Sequence, residues 1–190
     1  MGVSAPPDQR ARIIDAALHL MSEHGSASAT MRQLATAGDL NVATLYHYFP
    51  SKADLLRSVM TERRYGERLA QEKPPLDAAM SAHDRLVALI GCLWANTLEE
   101  EAVWRLLIGE AIHGEADATT SVREVVDALA VTIRRWLDDS FPEIPGDHAA
   151  LSRVIRGQVF ALVVEHLALG GVSTSAARER AEELATLVVP

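Results

Sequence analysis

The chain has 190 residues, of which 48% are hydrophobic and 23% are charged, and its formal net charge is −8. This composition is typical of a globular protein with one or two small domains and argues against a disordered or fibrous chain. No apolar run reaches the ~18 residues of a membrane span, the first ten residues contain no apolar signal segment, and the lone Cys92 cannot form an internal disulfide, so we expect a cytoplasmic protein.

The N-terminal third of the chain predicts four helices, of which the second and third are short. The second covers about residues 31–37 and the third residues 42–48, with a tight turn at residues 38–40 between them. The fourth is expected to run to about Gln71, where Lys73-Pro74-Pro75 breaks it. A residue that can accept a hydrogen bond from a first-turn N–H precedes each helix. These N-cap candidates are Asp8, Thr30, Asn41 and Ser51.

Two short helices joined by a tight turn form the helix-turn-helix unit, whose second helix enters the major groove of DNA. We expect Leu45, Tyr48 and Phe49 to anchor the third helix, while its other side chains project outward. Small side chains let the backbone approach base edges, and a lysine in the first turn of the next helix suits a phosphate. The residues predicted to contact DNA are Thr30, Arg32, Val42, Ala43, Thr44, Tyr46, His47 and Lys52.

The charge is divided unevenly, as this hypothesis requires. Residues 1–65 contain seven Lys or Arg and six Asp or Glu, for a net charge of +1, whereas residues 66–190 contain eleven and twenty, for −9. A nearly neutral N-terminal part on an acidic remainder is expected if only the N-terminal part approaches phosphate. A net charge of +1 does not make a basic domain. The DNA-binding hypothesis therefore depends on where the individual cations lie.

Residues 12–59 resemble the N-terminal domain of the TetR family of bacterial transcriptional regulators. The resemblance covers about a quarter of the chain, and its combination of TLYHYF with a following SK is quite specific. It implies an all-helical homodimer that binds an operator and is released by a small ligand. By position, Thr44, Tyr46, His47 and Lys52 match residues that contact DNA in the family. The matching segments are Arg12-Ile13-Ile14-Asp15-Ala16-Ala17, Gly25, Thr30-Met31, Leu34-Ala35, Thr44-Leu45-Tyr46-His47-Tyr48-Phe49, Ser51-Lys52 and Leu55-Leu56.

The turn departs from the Ala-Gly-Val-Ser pattern that is usual in the family, because this chain has Gly38-Asp39-Leu40-Asn41. If the turn is registered on Tyr46, Asp39 occupies the glycine position, and Asp tolerates the left-handed conformation better than most residues. Alternatively, Gly38 takes that conformation and the turn is shifted by one residue. The extra carboxylate near phosphate is expected to lower DNA affinity.

The remainder predicts five more helices, near residues 77–97, 99–114, 119–139, 147–169 and 174–188. We therefore expect an all-α fold of about nine helices. It begins with a three-helix helix-turn-helix DNA-binding domain over residues 8–52, and a helical ligand-binding and dimerisation domain follows over residues 53–190. A helix of about residues 52–71 is shared between the two domains.

The last two helices are expected to form the dimer interface. The helix near 147–169 is apolar on more than one face, which indicates burial on two sides, and Gly157 and Ala161 would allow close helix approach. In the family the corresponding pair forms a four-helix bundle with its partner; an internal core helix is the alternative. The predicted interface residues are Leu151, Ile155, Val159, Leu162, Leu184 and Val188.

The middle helices carry all three tryptophans, and in the family this region surrounds a ligand cavity. Apolar walls with few polar groups suit a hydrophobic or aromatic effector. For each tryptophan, ordinary core packing is the alternative. The candidate ligand-binding residues are Trp94, Trp104, Ile108, Trp136 and His113.

Two other classes of function are weaker. An enzyme is disfavoured because the chain has no Gly-rich phosphate loop, no CxxC or HExxH motif and no supported catalytic triad. Glu110 and His113 form half of a di-iron motif, which requires a second copy and further Glu residues. The other alternative is a metal or redox sensor that uses Cys92 and histidines. We expect no metal, cofactor or catalytic residue, and we expect operator DNA, a second copy of the chain and a small-molecule effector as partners.

Overall fold

The computed structural model describes residues 9–62, 74, 76–114 and 116–189. All regular structure in these residues is helical, which confirms the all-α prediction, and none of these helices is long and apolar enough to cross a membrane. The helices are α1 Gln9–His24, α2 Met31–Ala37, α3 Val42–Tyr48, α4 Lys52–Glu62, α5 Ala82–Glu99, α6 Glu101–Ile112, α7 Ala116–Ser140, α8 His148–Leu169 and α9 Thr174–Val188.

The predicted helix bounds hold closely for α2, α3, α8 and α9, but α5 begins later than expected. Asp77 forms a turn instead, in which its carbonyl accepts the Met80 N–H at 3.0 Å. Ser81 then caps α5 by accepting the Asp84 N–H at 3.1 Å. The predicted continuation of the fourth helix to Gln71 lies outside the described residues.

The chain divides into two compact units that do not follow the predicted boundary after residue 52. The first unit contains the described residues of 1–64 together with Ala102–Val122, and the second contains those of 65–101 together with Arg123–Pro190. Helix α6 and the beginning of α7, which were predicted as regulatory, therefore pack with the N-terminal helices. The division into a DNA-binding domain at 8–52 and a regulatory domain at 53–190 concerns function and stays a prediction.

One hydrophobic core joins all the helices of the first unit. Helices as short as α2 and α3 are unstable alone, so their positions depend on this core. Each large apolar side chain that is fully buried contributes about 1.5–3 kcal/mol. The core residues are Ile13, Ile14, Ala17, Leu18 and Met21 of α1, Ala29, Leu34 and Ala35 at α2, Leu45 and Phe49 at α3, Leu55, Leu56, Val59 and Met60 of α4, Val103, Leu106 and Leu107 of α6, and Ala118 of α7.

In the second unit, α5 packs against both α8 and α9. Ala177, Ala181 and Ala185 recur every fourth residue on α9 and are buried, so small side chains line one side of that helix. Arg180 of α9 donates two hydrogen bonds to the carboxylate of Glu165 on α8, at 2.9 and 2.7 Å. These bonds lower the pKa of Glu165 and tie the last two helices together.

Candidate nucleic-acid interface

Local side-chain hydrogen bonds fix the starts of the second, third and fourth helices, as predicted. Thr30 Oγ1 accepts the Gln33 N–H at 3.3 Å, and Gln33 Oε1 accepts the Thr30 N–H at 2.9 Å, which forms a capping box. Asn41 Oδ1 accepts the Thr44 N–H at 2.7 Å. Ser51 Oγ accepts the Asp54 N–H at 3.1 Å. The helix-turn-helix geometry is therefore specified within a few residues of each turn.

The turn between α2 and α3 places Asp39, and not Gly38, in the left-handed conformation. Asp39 has φ 54°, whereas Gly38 has φ −83°. The chain then returns through Leu40, whose N–H donates to the Ala35 carbonyl at 2.9 Å. Of the two arrangements that the sequence left open, the one registered on Tyr46 is adopted.

Substitutions at Asp39 should separate backbone strain from charge. Asp39→Gly should stabilise the protein by roughly 0.5–1 kcal/mol, because glycine adopts a positive φ without a steric penalty, and Asp39→Ala should destabilise it by a similar amount. Asp39→Asn is the matched control for charge, since Asn tolerates this conformation about as well as Asp. Urea unfolding followed by circular dichroism measures the differences. Equal stability of the Gly and Ala variants would contradict this account.

The third helix presents one side to its own core and the other outward. Leu45 and Phe49 are buried and Tyr48 packs half-buried against the core, so the three predicted anchors are confirmed. Tyr46 is 47% exposed, and Ala43 and His47 are also exposed. The outward surface of α3 is therefore formed mainly by these three side chains.

Val42 and Thr44 are less available than predicted. Val42 packs partly buried against the core because it lies three residues before Leu45, on the same side of the helix. Thr44 is half-buried, and its hydroxyl donates to Asn41 Oδ1 at 3.0 Å. The prediction that Val42 projects outward is corrected, while a DNA contact by either residue stays a prediction.

The cations of the first unit have different environments. Arg32 is exposed on α2, beside the exposed Thr30. Arg10 lies with its guanidinium carbon 4.8 Å from the centroid of the Phe49 ring and donates to Ser58 Oγ at 3.3 Å. Arg10 therefore packs on the core residues that hold α3, and Arg32 is the better placed of the two for a phosphate.

Lys52 is held by the loop between α1 and α2. Its Nζ donates to the carbonyl oxygens of Ser26 at 2.7 Å and Ala27 at 3.1 Å. An ammonium group has three N–H donors, and these two carbonyl oxygens use two of them. Sequence reasoning missed this contact, because Lys52 is separated from Ser26 by 26 positions and from Ala27 by 25, and no local pattern connects residues so far apart.

The five predicted ligand-binding residues are not brought together. Trp94 lines a cavity of about 370 Å³ in the second unit, and the other four are not among its described lining residues. Trp136 is buried in the same unit, while Trp104 is buried and Ile108 half-buried on α6 of the first unit. His113 is exposed, with Nδ1 2.7 Å from the Gly109 carbonyl. The cavity is lined by Met80, Asp84, Val87, Ala88, Gly91, Trp94, Ala95, Leu98, Thr174, Ala177 and Arg178.

Glu110, which forms half of the possible di-iron motif with His113, is bonded to the loop after α1. Both carboxylate oxygens of Glu110 accept hydrogen bonds from Ser26. Among the described residues, no three His, Cys, Asp or Glu side chains are grouped so that they could hold a metal ion.

The six predicted interface residues divide by burial. Ile155, Val159 and Leu162 on α8 and Leu184 on α9 are buried in the chain's own core, whereas Leu151 and Val188 are half-buried. The apolar side chains that α8 exposes are different ones: Val154 is 52% exposed, Phe160 38% and Val164 41%. Gly157 and Ala161, expected to permit close helix approach, lie on this exposed face. The dimer interface itself stays a prediction. The exposed apolar face of α8 is the surface that is available for it.

Comparison with known proteins gives one consistent relationship. Residues 13–59 match the family model described as bacterial regulatory proteins, tetR family. The HTH-type transcriptional repressor KstR of Mycolicibacterium smegmatis is 31% identical over 160 residues, which are 82% of this chain and 74% of that protein. An uncharacterized HTH-type transcriptional regulator of Xanthobacter autotrophicus is 37% identical over 113 residues, and the match spans 55% of its length.

Solved structures share the fold over almost the whole chain. A TetR-like transcriptional regulator from Rhodococcus sp. RHA1 matches with a TM-score of 0.68 and 22% identity, covering 96% of this chain and 97% of that one. A TetR transcription regulator from Haloarcula marismortui matches with a TM-score of 0.72 and 18% identity, covering 95% and 98%. At these identities the likeness shows the fold alone.

Proposed function

The chain belongs to the TetR family of bacterial transcriptional regulators, and we propose that it represses transcription as a homodimer bound to an inverted-repeat operator in the cytoplasm. The observation that carries this proposal is the outward side of α3. Ala43, Tyr46 and His47 are exposed there, while the buried Leu45 and Phe49 fix the helix to the core. Such a helix can enter the major groove without rearrangement of its own unit.

We assign the DNA contacts by chemistry. We assign Ala43 and Thr44 to base edges, because a small side chain brings the helix close and a methyl group can contact thymine. Tyr46, His47 and Lys52 are assigned to phosphates on one side of the groove, and Thr30 and Arg32 to phosphates on the other. Val42 has a supporting role in this arrangement, since it packs partly against the core.

Dimerisation follows from the geometry of operators. Two identical reading helices must meet half-sites whose centres are about 34–36 Å apart, or a multiple of that distance. The exposed apolar face of α8, formed by Val154, Gly157, Phe160, Ala161 and Val164, is the surface we propose for contact with a second copy. Leu187 on α9 is 84% exposed and extends the apolar surface of the last two helices.

Release from DNA is proposed to follow binding of a small hydrophobic or aromatic effector. The cavity beside Trp94 has a volume of about 370 Å³, which is within the range of roughly 300–1,000 Å³ for small-molecule sites. Its walls are mostly apolar, and Asp84, Thr174 and Arg178 contribute the polar groups. An effector would act by favouring a conformation whose reading helices no longer match both half-sites.

Selection of bound DNA from a genomic library tests the proposed function. The enriched fragments should share an inverted repeat whose half-site centres are about one helical turn apart, or a multiple of that distance. Fluorescence anisotropy with the shortest enriched duplex then gives the affinity. Failure to enrich any sequence, even at low salt, would contradict the proposal.

A further inference from the structure

Glu110 of α6 is bonded to the loop that leads from α1 to α2. Its Oε1 accepts the Ser26 N–H at 3.0 Å, and its Oε2 accepts the Ser26 O–H at 2.7 Å. Both residues are buried, with Glu110 8% exposed and Ser26 7% exposed. Hydrogen bonds to a carboxylate are stronger than bonds between neutral groups, and burial strengthens them further. The pair therefore fixes the backbone at Ser26.

The same loop residue is also bonded to Lys52. The Ser26 carbonyl accepts from Lys52 Nζ at 2.7 Å, so one peptide segment is held by Glu110 through its N–H and by Lys52 through its oxygen. Ser26 follows Gly25, whose φ of 77° ends α1. A displacement of this loop would move the carbonyl oxygens that hold the ammonium group.

Of the two side chains that hold the loop, Glu110 is the more firmly placed. Its helix contributes Val103, Leu106 and Leu107 to the core of the first unit. The helix of Lys52 also packs into that core, but Lys52 is only half-buried and its ammonium group lies at the end of a flexible four-carbon stem, whereas Glu110 is buried. The buried, doubly bonded carboxylate therefore sets the position of the loop, and the loop sets the position of the ammonium group.

We propose that Glu110 is a positioning residue for DNA binding, which acts through Ser26 to hold Lys52 in place for a phosphate. The inference rests on the proposed contact of Lys52 with operator DNA. Two of the three ammonium donors are used by the loop, and the third is oriented by them. Because the side chain is ordered before DNA arrives, binding loses less conformational entropy.

A double-mutant cycle tests this relay. Glu110→Gln and Ser26→Ala are each made in the wild-type chain and in Lys52→Ala, and binding to the shortest duplex from the genomic selection is measured by anisotropy. Each single variant should weaken binding roughly three- to tenfold, tenfold being about 1.4 kcal/mol. In the Lys52→Ala background the same changes should weaken DNA binding less than about twofold, because the ammonium group through which they act is absent. Glu124→Gln, which removes an exposed carboxylate on α7, is the matched control for charge and should bind like wild type.

The outcomes separate the relay from the proposed function. Thermal unfolding by circular dichroism shows whether each variant is folded. If Glu110→Gln is not folded, Ser26→Ala still tests the inference, because it removes only a hydroxyl group. An equal loss of affinity in both backgrounds would show that Glu110 supports the fold without acting through Lys52, and would overturn the inference. Unchanged affinity of both variants would also overturn it. If the wild-type chain binds no selected duplex, the proposed function itself fails.

Discussion

Operator affinity should fall about 150-fold when salt is raised from about 50 to 200 mM. Arg32 and Lys52 are the two cations proposed to contact phosphates in each protomer, so a dimer has four. About 0.9 counterion is released per cation. A plot of the logarithm of the association constant against the logarithm of the salt concentration should therefore have a slope of about −3.6. The net charge of −8 does not oppose this behaviour, because the Asp and Glu excess lies after residue 65.

Lys52→Ala should reduce this dependence, because it removes two cations from the dimer. The slope should fall to about −1.8, so the same rise in salt should weaken binding only about 12-fold. Arg134→Ala on α7 removes one exposed cation of the second unit and is the control for net charge. Anisotropy titrations at several salt concentrations measure the slopes. An unchanged slope in Lys52→Ala would exclude Lys52 from the phosphate contacts.

The short helices of the first unit could be predicted because their ends are determined locally. Thr30, Asn41 and Ser51 each accept an N–H from a residue three positions later, so the information lies within one turn of helix. The start of α5 was predicted too early, because local signals alone did not distinguish between two possible helix starts. Asp77 and Ser81 both resemble N-caps, and the turn at Asp77 ends before the helix begins.

Contacts between distant residues were beyond the reach of local patterns. Ser26 and Glu110 are 84 positions apart, and only packing of α6 into the N-terminal core brings them together. From the sequence alone, Glu110 was therefore considered as half of a possible di-iron motif. The signal that could have found it is the apolar stripe of α6, Val103, Leu106 and Leu107, whose partner core the sequence does not specify.

The inward face of α8 could not be predicted from the sequence either, because this helix is apolar on most sides. Val154 and Ile155 are adjacent and chemically similar, yet one is 52% exposed and the other is buried. Which of the two is buried depends on how α8 packs in the second unit, where α5 is one of its neighbours. The three tryptophans posed the same problem, since a large indole side chain serves core packing and ligand cavities equally well.

Phe160→Asp should convert the protein to a monomer and weaken operator binding by at least about a hundredfold. Phe160 is 38% exposed on the apolar face of α8, so the isolated chain should tolerate the change. In a two-fold dimer the substitution occurs twice at one interface, and each unpaired carboxylate there costs about 3 kcal/mol or more. Analytical ultracentrifugation at micromolar concentration measures the mass, and anisotropy measures the affinity.

Two further variants distinguish loss of the interface from loss of the fold. Val131→Asp introduces the same charge at a side chain of α7 that is 70% exposed, and this variant should remain a dimer that binds DNA. Ile155→Asp places the charge on the buried side of α8 and should unfold the second unit, because a carboxylate at this fully buried position loses its hydration. If Phe160→Asp dissociates while its circular dichroism spectrum stays that of wild type, the exposed face of α8 is the interface and the buried residues support it from within. A dimer that survives Phe160→Asp with full operator affinity would place the interface elsewhere.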